Sequence, residues 1–277
     1  MADAMAAGRQ LVVEARPDSL RAWTTELWRH RSVLGMLARA DFHVRYKRAS
    51  FGVAWAVIVP LVQAAVIAIV FSRIVRLGTG SDFTVYVLSG VLPWSYFAQT
   101  VVVGSTSIVD GAGLSDKVWF PRALLPIVPS LANAVGLVIS LVVLLGIMPF
   151  LGSGIGPRIV LLIPAVLMLV GFTVGLTMTL SALHVYFRDV RFLVQAAMMV
   201  WFYLTPIAYP PALLGRLKTL VDLNPMSGVV TVFRMATVGV DDGWHLPVLI
   251  VFGVTVMLLV AVAEALRRLV RLFVDLL

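Results

Sequence analysis

Residues 49–72 read ASFGVAWAVIVPLVQAAVIAIVFS. The stretch holds no Asp, Glu, Lys or Arg and is longer than the roughly 20 apolar residues an α-helix needs to cross the hydrocarbon of a bilayer. Within lipid every backbone N–H and C=O has to be paired inside the segment itself, so an uncharged run of this length reads as a spanning helix. The same search outward from it finds 83–109, softened by Gly90, Pro93 and Gly104, and a run within 123–157 that ends near Gly152 to Gly156. Beyond these lie 159–187, 192–215 and 246–263, the last continuing amphipathically to about residue 272. The expectation is an all-α, polytopic membrane protein with six transmembrane helices forming one domain, residues 49–277, behind an N-terminal segment, residues 1–48.

Composition agrees. Of 277 residues, 60% are hydrophobic and 13% charged, and the mean hydropathy is +0.99. Soluble domains run about 45–50% apolar and about 25% charged. The absence of cysteine excludes disulfides, thiol catalysis and cysteine-ligated metal. A net charge of +8 would suggest nucleic acid in a soluble protein, but here it retains loops in the cytoplasm and attracts anionic lipid, and no nucleic-acid partner is expected. The first 48 residues carry nine basic and five acidic side chains and no early apolar run, so no cleavable signal peptide is expected. With both termini in the cytoplasm, sixteen Lys and Arg fall on the inner side and six on the outer, the distribution expected of a multi-pass protein of a bacterial inner membrane.

Two segments do not read as plain spans. In residues 19–43, Leu20, Trp23, Leu27, Leu34 and Leu37 recur at helical spacing among Arg21, Glu26, Arg29, Arg31 and Arg39, after a Pro17-Asp18-Ser19 start. This predicts an amphipathic helix in the inner interface, or one packed on a partner subunit. Residues 210–245 are apolar in patches but interrupted by Arg216, Lys218, Asp222 and Arg234, and Asn224-Pro225 has the form of an N-cap followed by proline at the first helical position. Short re-entrant helices over about 211–240, before the last span, are expected here, with an extracellular loop as the alternative.

Intramembrane ionisable residues mark proton relays and ion sites. The five runs from residue 49 to 215 contain none of Asp, Glu, Lys or Arg, and their only histidine is His184, near an inner end. Neither a proton-coupled carrier nor an intramembrane enzyme with paired acids or metal ligands is indicated; no catalytic or metal site is expected. No Gly-Lys pair exists, so the chain has no phosphate-binding loop of the G-x-x-x-x-G-K-[ST] type, and any ATP must be bound elsewhere. The aromatics Trp55, Trp94, Tyr96, Phe97, Trp201, Phe202, Tyr203 and Tyr209 are read either as membrane packing or as a weak, register-free lining for sugar rings. The inner-loop charges in DGAGLSDKVWFPR (110–122) and RDVR (188–191) are read either as solvated caps or as a docking surface for a cytoplasmic motor.

Several local words, in order, carry a resemblance: Arg45-Tyr46-Lys47 with Phe51-Gly52-Val53-Ala54-Trp55 and Pro60-Leu61; Gly90-Val91-Leu92-Pro93-Trp94; Lys117-Val118-Trp119-Phe120-Pro121-Arg122; Tyr186-Phe187-Arg188-Asp189-Val190-Arg191; Thr205-Pro206-Ile207 with Tyr209-Pro210; and Leu223-Asn224-Pro225-Met226. Spread over roughly residues 40–235, they resemble the ABC-2 family of transport permeases, above all the subunits that export O-antigen, teichoic acid and similar polysaccharides. Phe51 stands where that family often has leucine. The resemblance implies two permeases working with two cytoplasmic ABC ATPases, which bind ATP and Mg²⁺, so that this chain is a transport subunit without an ATPase site of its own. It implies a channel lined by spans one and five of both copies, here Trp55, Trp201, Phe202 and Tyr203. It places ATPase coupling at Asp116, Lys117, Trp119, Arg122, Arg188, Asp189 and Arg191, and an outer gate at Asn224, Pro225 and Met226. The cargo it implies is a lipid-linked glycan; a drug or simple-lipid permease, or a membrane-embedded enzyme of envelope synthesis, are the alternatives.

Overall fold

The computed structural model describes residues 20–47, 49–74, 81–115, 120–240 and 245–269. Among them there is no strand. The helices are α1 (Leu20–Arg29), α2 (Arg31–Tyr46), α3 (Trp55–Ile69), α4 (Ser81–Gly104), the short α5 (Ser107–Asp110) and α6 (Ala112–Ser115), α7 (Val128–Ile147), α8 (Leu162–Tyr186), α9 (Val190–Leu204), α10 (Lys218–Asp222), α11 (Pro225–Thr237) and α12 (His245–Leu269).

Four helical stretches are long and apolar enough to span: Gly52–Ser72, Phe83–Gly104, Arg122–Leu151 and Pro157–Tyr186. They match the first four expected runs. The fifth run divides. Proline at 206 disfavours the α conformation of the residue before it, and Thr205 is extended (φ −91°, ψ 131°), so α9 stops at Leu204 after 15 residues. At about 1.5 Å per residue it is about 22 Å long, short of a roughly 30 Å hydrocarbon core. The sixth run, 246–263, lies in the 25-residue α12 and is, at 18 residues, shorter than the four spans.

The bundle is organised around α4. Val85, Val87, Val91, Leu92, Phe97 and Val101 along it are buried, and α3, α7, α8, α9 and α11 all pack on it. At Gly90 a side chain would press on Ile207, whose Cα would lie 3.3 Å from the added carbon, so this glycine lets the segment after α9 close onto α4. Large parts of α3 and α9 face outward: Val59, Val62, Val66 and Ile69 on one, Phe192, Leu193, Met199, Val200 and Tyr203 on the other.

The expected single N-terminal helix is two. It breaks at His30 (φ −90°, ψ 15°), whose Nδ1 lies 2.9 Å from the Glu26 carbonyl. Leu27, Val33, Leu34 and Leu37 pack on Phe120, Leu124 and Leu125 of the segment leading into α7, while Trp28 stays 69% exposed. Much of the apolar stripe read from the sequence is therefore covered by the chain's own loop. This end of the bundle, with the turn joining α8 to α9, is called the proximal face. The distal face carries the connection from α7 to α8 and the segments between α9 and α12.

Candidate functional site

The chemistry concentrates in three places. On the distal face, Asn224 caps α11: its Oδ1 accepts from the Met226 backbone N–H at 3.0 Å and from Trp201 Nε1 at 2.8 Å. Its Nδ2 donates to Thr205 Oγ1 at 3.0 Å and to the Leu204 carbonyl at 3.3 Å. One side chain thus ties the start of α11 to the end of α9. Pro225 fills the first helical position, where its missing N–H costs nothing, and Met226 is fully buried.

About two turns beyond Met226 along α11, Arg234 is 0% exposed. Its guanidinium carbon lies 3.6 Å from the centroid of the Tyr86 ring, and Nη2 donates to the Ile207 carbonyl at 2.8 Å. A desolvated cation over an aromatic face is worth about 2 kcal/mol, which helps offset its burial. Tyr86 also donates from its hydroxyl to the Tyr209 carbonyl at 3.2 Å, and the Tyr209 hydroxyl donates to the Tyr203 carbonyl at 2.9 Å. The far end of α11 is held too. Arg158 donates to the Thr237 carbonyl at 3.0 Å, and Gly239 turns there at φ 76°, where a side chain would collide with the Arg158 guanidinium.

The second place joins α2 to the bundle. Asp41 and Arg45 pair at 2.7 Å, Arg45 Nη1 donates to Asn133 Oδ1 at 2.8 Å, and Asn133 Nδ2 donates to Thr100 Oγ1 at 2.9 Å. This polar chain runs from the N-terminal helices through α7 to α4. Beside it is the third place, a cavity of about 400 Å³ between α3, α4 and α7, with Tyr46 of α2 at its edge.

Residues 33–238 match the profile of the ABC-2 type transporter family. The chain belongs to that family. Among relatives of this ABC-2 permease, the O-antigen export system permease protein RfbA of Myxococcus xanthus is 29% identical over 212 residues, 76% of this chain and 81% of the relative. Two Klebsiella pneumoniae proteins of the same name are 25% and 26% identical over 206 residues, each match covering 73% of this chain and 78% of the relative.

The residues singled out in the sequence of this permease fall into distinct settings. Trp201 and Phe202 are half-buried: Trp201 sits edge-on to Phe97 (5.3 Å) and Phe172 (6.3 Å), and Phe202 to Trp94 (5.6 Å). Tyr203 is 72% exposed, because consecutive helical residues point about 100° apart. Trp55, 43% exposed, meets Phe51 at 5.7 Å, and among the described residues no ring contact joins it to the other three. Arg188, Asp189 and Arg191 are exposed together where α8 turns into α9, with the Asp189 carbonyl opening α9. Arg122 starts the turn before α7, partly buried. Asp116, Lys117 and Trp119 lie outside the described residues. Asn224, Pro225 and Met226 are brought together with Trp201.

Reading by uncharged runs places Arg234 among the six outer-side cations and does not single out the Asp41–Arg45–Asn133 chain. The i,i+4 spacing of Asp41 and Arg45, which straddles the end of the expected helix at residue 43, is the available signal for the latter.

Proposed function

We propose that this chain is the transmembrane subunit of an ATP-driven exporter that moves a lipid-linked polysaccharide from the cytoplasm across the bacterial inner membrane. The observation that carries the reading is the match, along most of both chains, to three O-antigen export permeases. In this reading α9 and α12 complete a six-span bundle, both termini are cytoplasmic, and the proximal face is the inner one. Two copies meet through the outward apolar faces of α3 and α9, and two copies of an ABC ATPase, with ATP and Mg²⁺ bound, dock below. The helices α10 and α11 re-enter from the outer leaflet and close the channel.

The wiring supports such a machine. A push on α1 and α2 reaches Phe120, Leu124 and Leu125 directly and α4 through Arg45, Asn133 and Thr100. A push on the Arg188 to Arg191 turn moves α9, whose far end is tied to α11 by Asn224. Work delivered at the inner loops thus has a packed route to the outer plug.

The test is purification of the chain from its native membrane together with depletion in cells. Copurification of an ABC ATPase in equal amount, with glycan-lipid trapped inside depleted cells, is the expected result. An ATPase partner without trapped glycan would point to a drug or simple-lipid cargo, and cargo movement by the chain alone without nucleotide would end the reading.

A further inference from the structure

The cavity between α3, α4 and α7 mixes apolar walls with the polar side chains of Gln63, Ser95, Gln99, Asn133 and Ser140. It opens beside Trp55, in the first turn of α3, and reaches Gln63, about 12 Å further along that helix. Two of its polar neighbours are already committed: Asn133 to Arg45 and Thr100, and the Tyr96 hydroxyl to Ser130 at 2.6 Å. The hydrogen bonds among described residues leave the amides of Gln63 and Gln99 and the hydroxyls of Ser95 and Ser140 unused, and all four border the cavity.

The lining also has a definite chemistry. It holds no Asp, Glu, Lys, Arg or His, and Arg45, which bonds the lining residue Asn133, is paired with Asp41. A phosphate or carboxylate ligand calls for a cation or a cluster of aimed N–H groups, and none lines the space. An alkyl chain would cover the half-buried Gln63 amide and the Ser95 and Ser140 hydroxyls without giving them partners, at the expense of their lost hydration. What remains is a neutral ligand with several hydroxyls and an apolar face: amides that both donate and accept, two serine hydroxyls, and the rings of Trp55 and Tyr46. The volume, about 400 Å³, lies within the ~300–1,000 Å³ of small-ligand sites and holds a sugar unit rather than a chain.

We propose that this cavity binds a single neutral sugar ring, with Gln63 and Gln99 hydrogen-bonding its hydroxyls and Trp55 covering its C–H face. As a step in glycan transfer the site rests on the export reading; as a binding site it is tested separately. The ring could belong to the polymer or to a sugar-bearing membrane lipid.

The test uses the permease with its native partners in lipid nanodiscs. Binding of radiolabelled octyl β-D-glucoside, below its micellar concentration, is measured against empty discs, with octyl phosphate in parallel. Saturable glucoside binding is expected, weakened about tenfold by Gln63→Leu or by Gln99→Leu and lost in the double variant. Competition by free maltotriose assigns the ring to a polymer; glucoside binding without that competition assigns it to a lipid-borne sugar. Absence of saturable binding, equal binding by the double variant, or tighter binding of octyl phosphate overturns the assignment. ATPase recovery and hydrolysis are recorded on the same samples. Retained hydrolysis without glucoside binding removes the sugar site alone, and glucoside binding without any ATPase partner removes the export reading alone.

Discussion

The distal clasp gives the sharpest quantitative expectation. Asn224→Ala removes the cap from α11, a change that typically costs about 1 kcal/mol. It also strands the half-buried Trp201 Nε1–H, worth a further ~1–2 kcal/mol. Thr205 is not stranded, because its hydroxyl also donates to the Trp201 carbonyl at 2.9 Å. The variant should therefore lose about 2–3 kcal/mol. Trp201→Phe keeps much of the ring packing on Phe97 and Phe172 but removes the donor, and should lose about 1–2 kcal/mol. Because both changes delete the same hydrogen bond, the double variant should be more stable than the sum of losses predicts, by about 1 kcal/mol. Asn224→Asp keeps the acceptors for Met226 and Trp201 and puts an anion at a helix N-terminus, but it loses both Nδ2 donations and sets an oxygen against the Leu204 carbonyl, so it should recover only part of the loss. Reversible unfolding by SDS in mixed micelles, followed by far-UV circular dichroism, reads all four. Additivity within about 0.5 kcal/mol would show that the clasp does not hold α9 to α11.

Arg234→Ala, which empties a buried site and takes the donor from the Ile207 carbonyl, is expected to cost about 2–5 kcal/mol in the same unfolding measurement. Trp201→Ala should destabilise by about 2–4 kcal/mol, whereas the exposed Tyr203→Ala should change stability by less than about 0.5 kcal/mol and yet slow glycan export in cells. Charge reversal at Arg188 and Arg191 should leave the fold intact and separate ATP hydrolysis from transport in proteoliposomes; unchanged coupling would make them topology signals only.

The long spans were legible because lipid imposes a length and forbids charge, and α3, α4, α7 and α8 answer to both conditions. The end of α9 was less legible for a local reason. Residues 192–215 are uncharged throughout, but Pro206 fixes an extended residue before it and the helix ends there. Asn224-Pro225 was readable, since a cap followed by proline is a short-range signal with a short-range cause. The break at His30 was not, because Leu27 and Leu34 keep helical spacing across it; the break follows from how Phe120 and Leu124 receive the two halves.

The same physics explains why the polar sites escaped. A search for uncharged runs treats any charge as a sign of water, and Arg234 was counted with the loops on that ground. Its burial requires three partners from distant parts of the chain: α11 to carry it, Tyr86 on α4 to cover it and Ile207 to accept from it. No sequence window contains that set. Gln63 and Gln99 pass the same search unnoticed, since a single amide barely lowers the hydropathy of a span. They become informative only when α3 and α4 place both on one cavity with Ser95 and Ser140. Charge-free spans therefore do not make the membrane interior chemically silent: in the proposed exporter, recognition would be carried by neutral hydrogen-bonding groups, which can hold a sugar and release it without a proton or an ion.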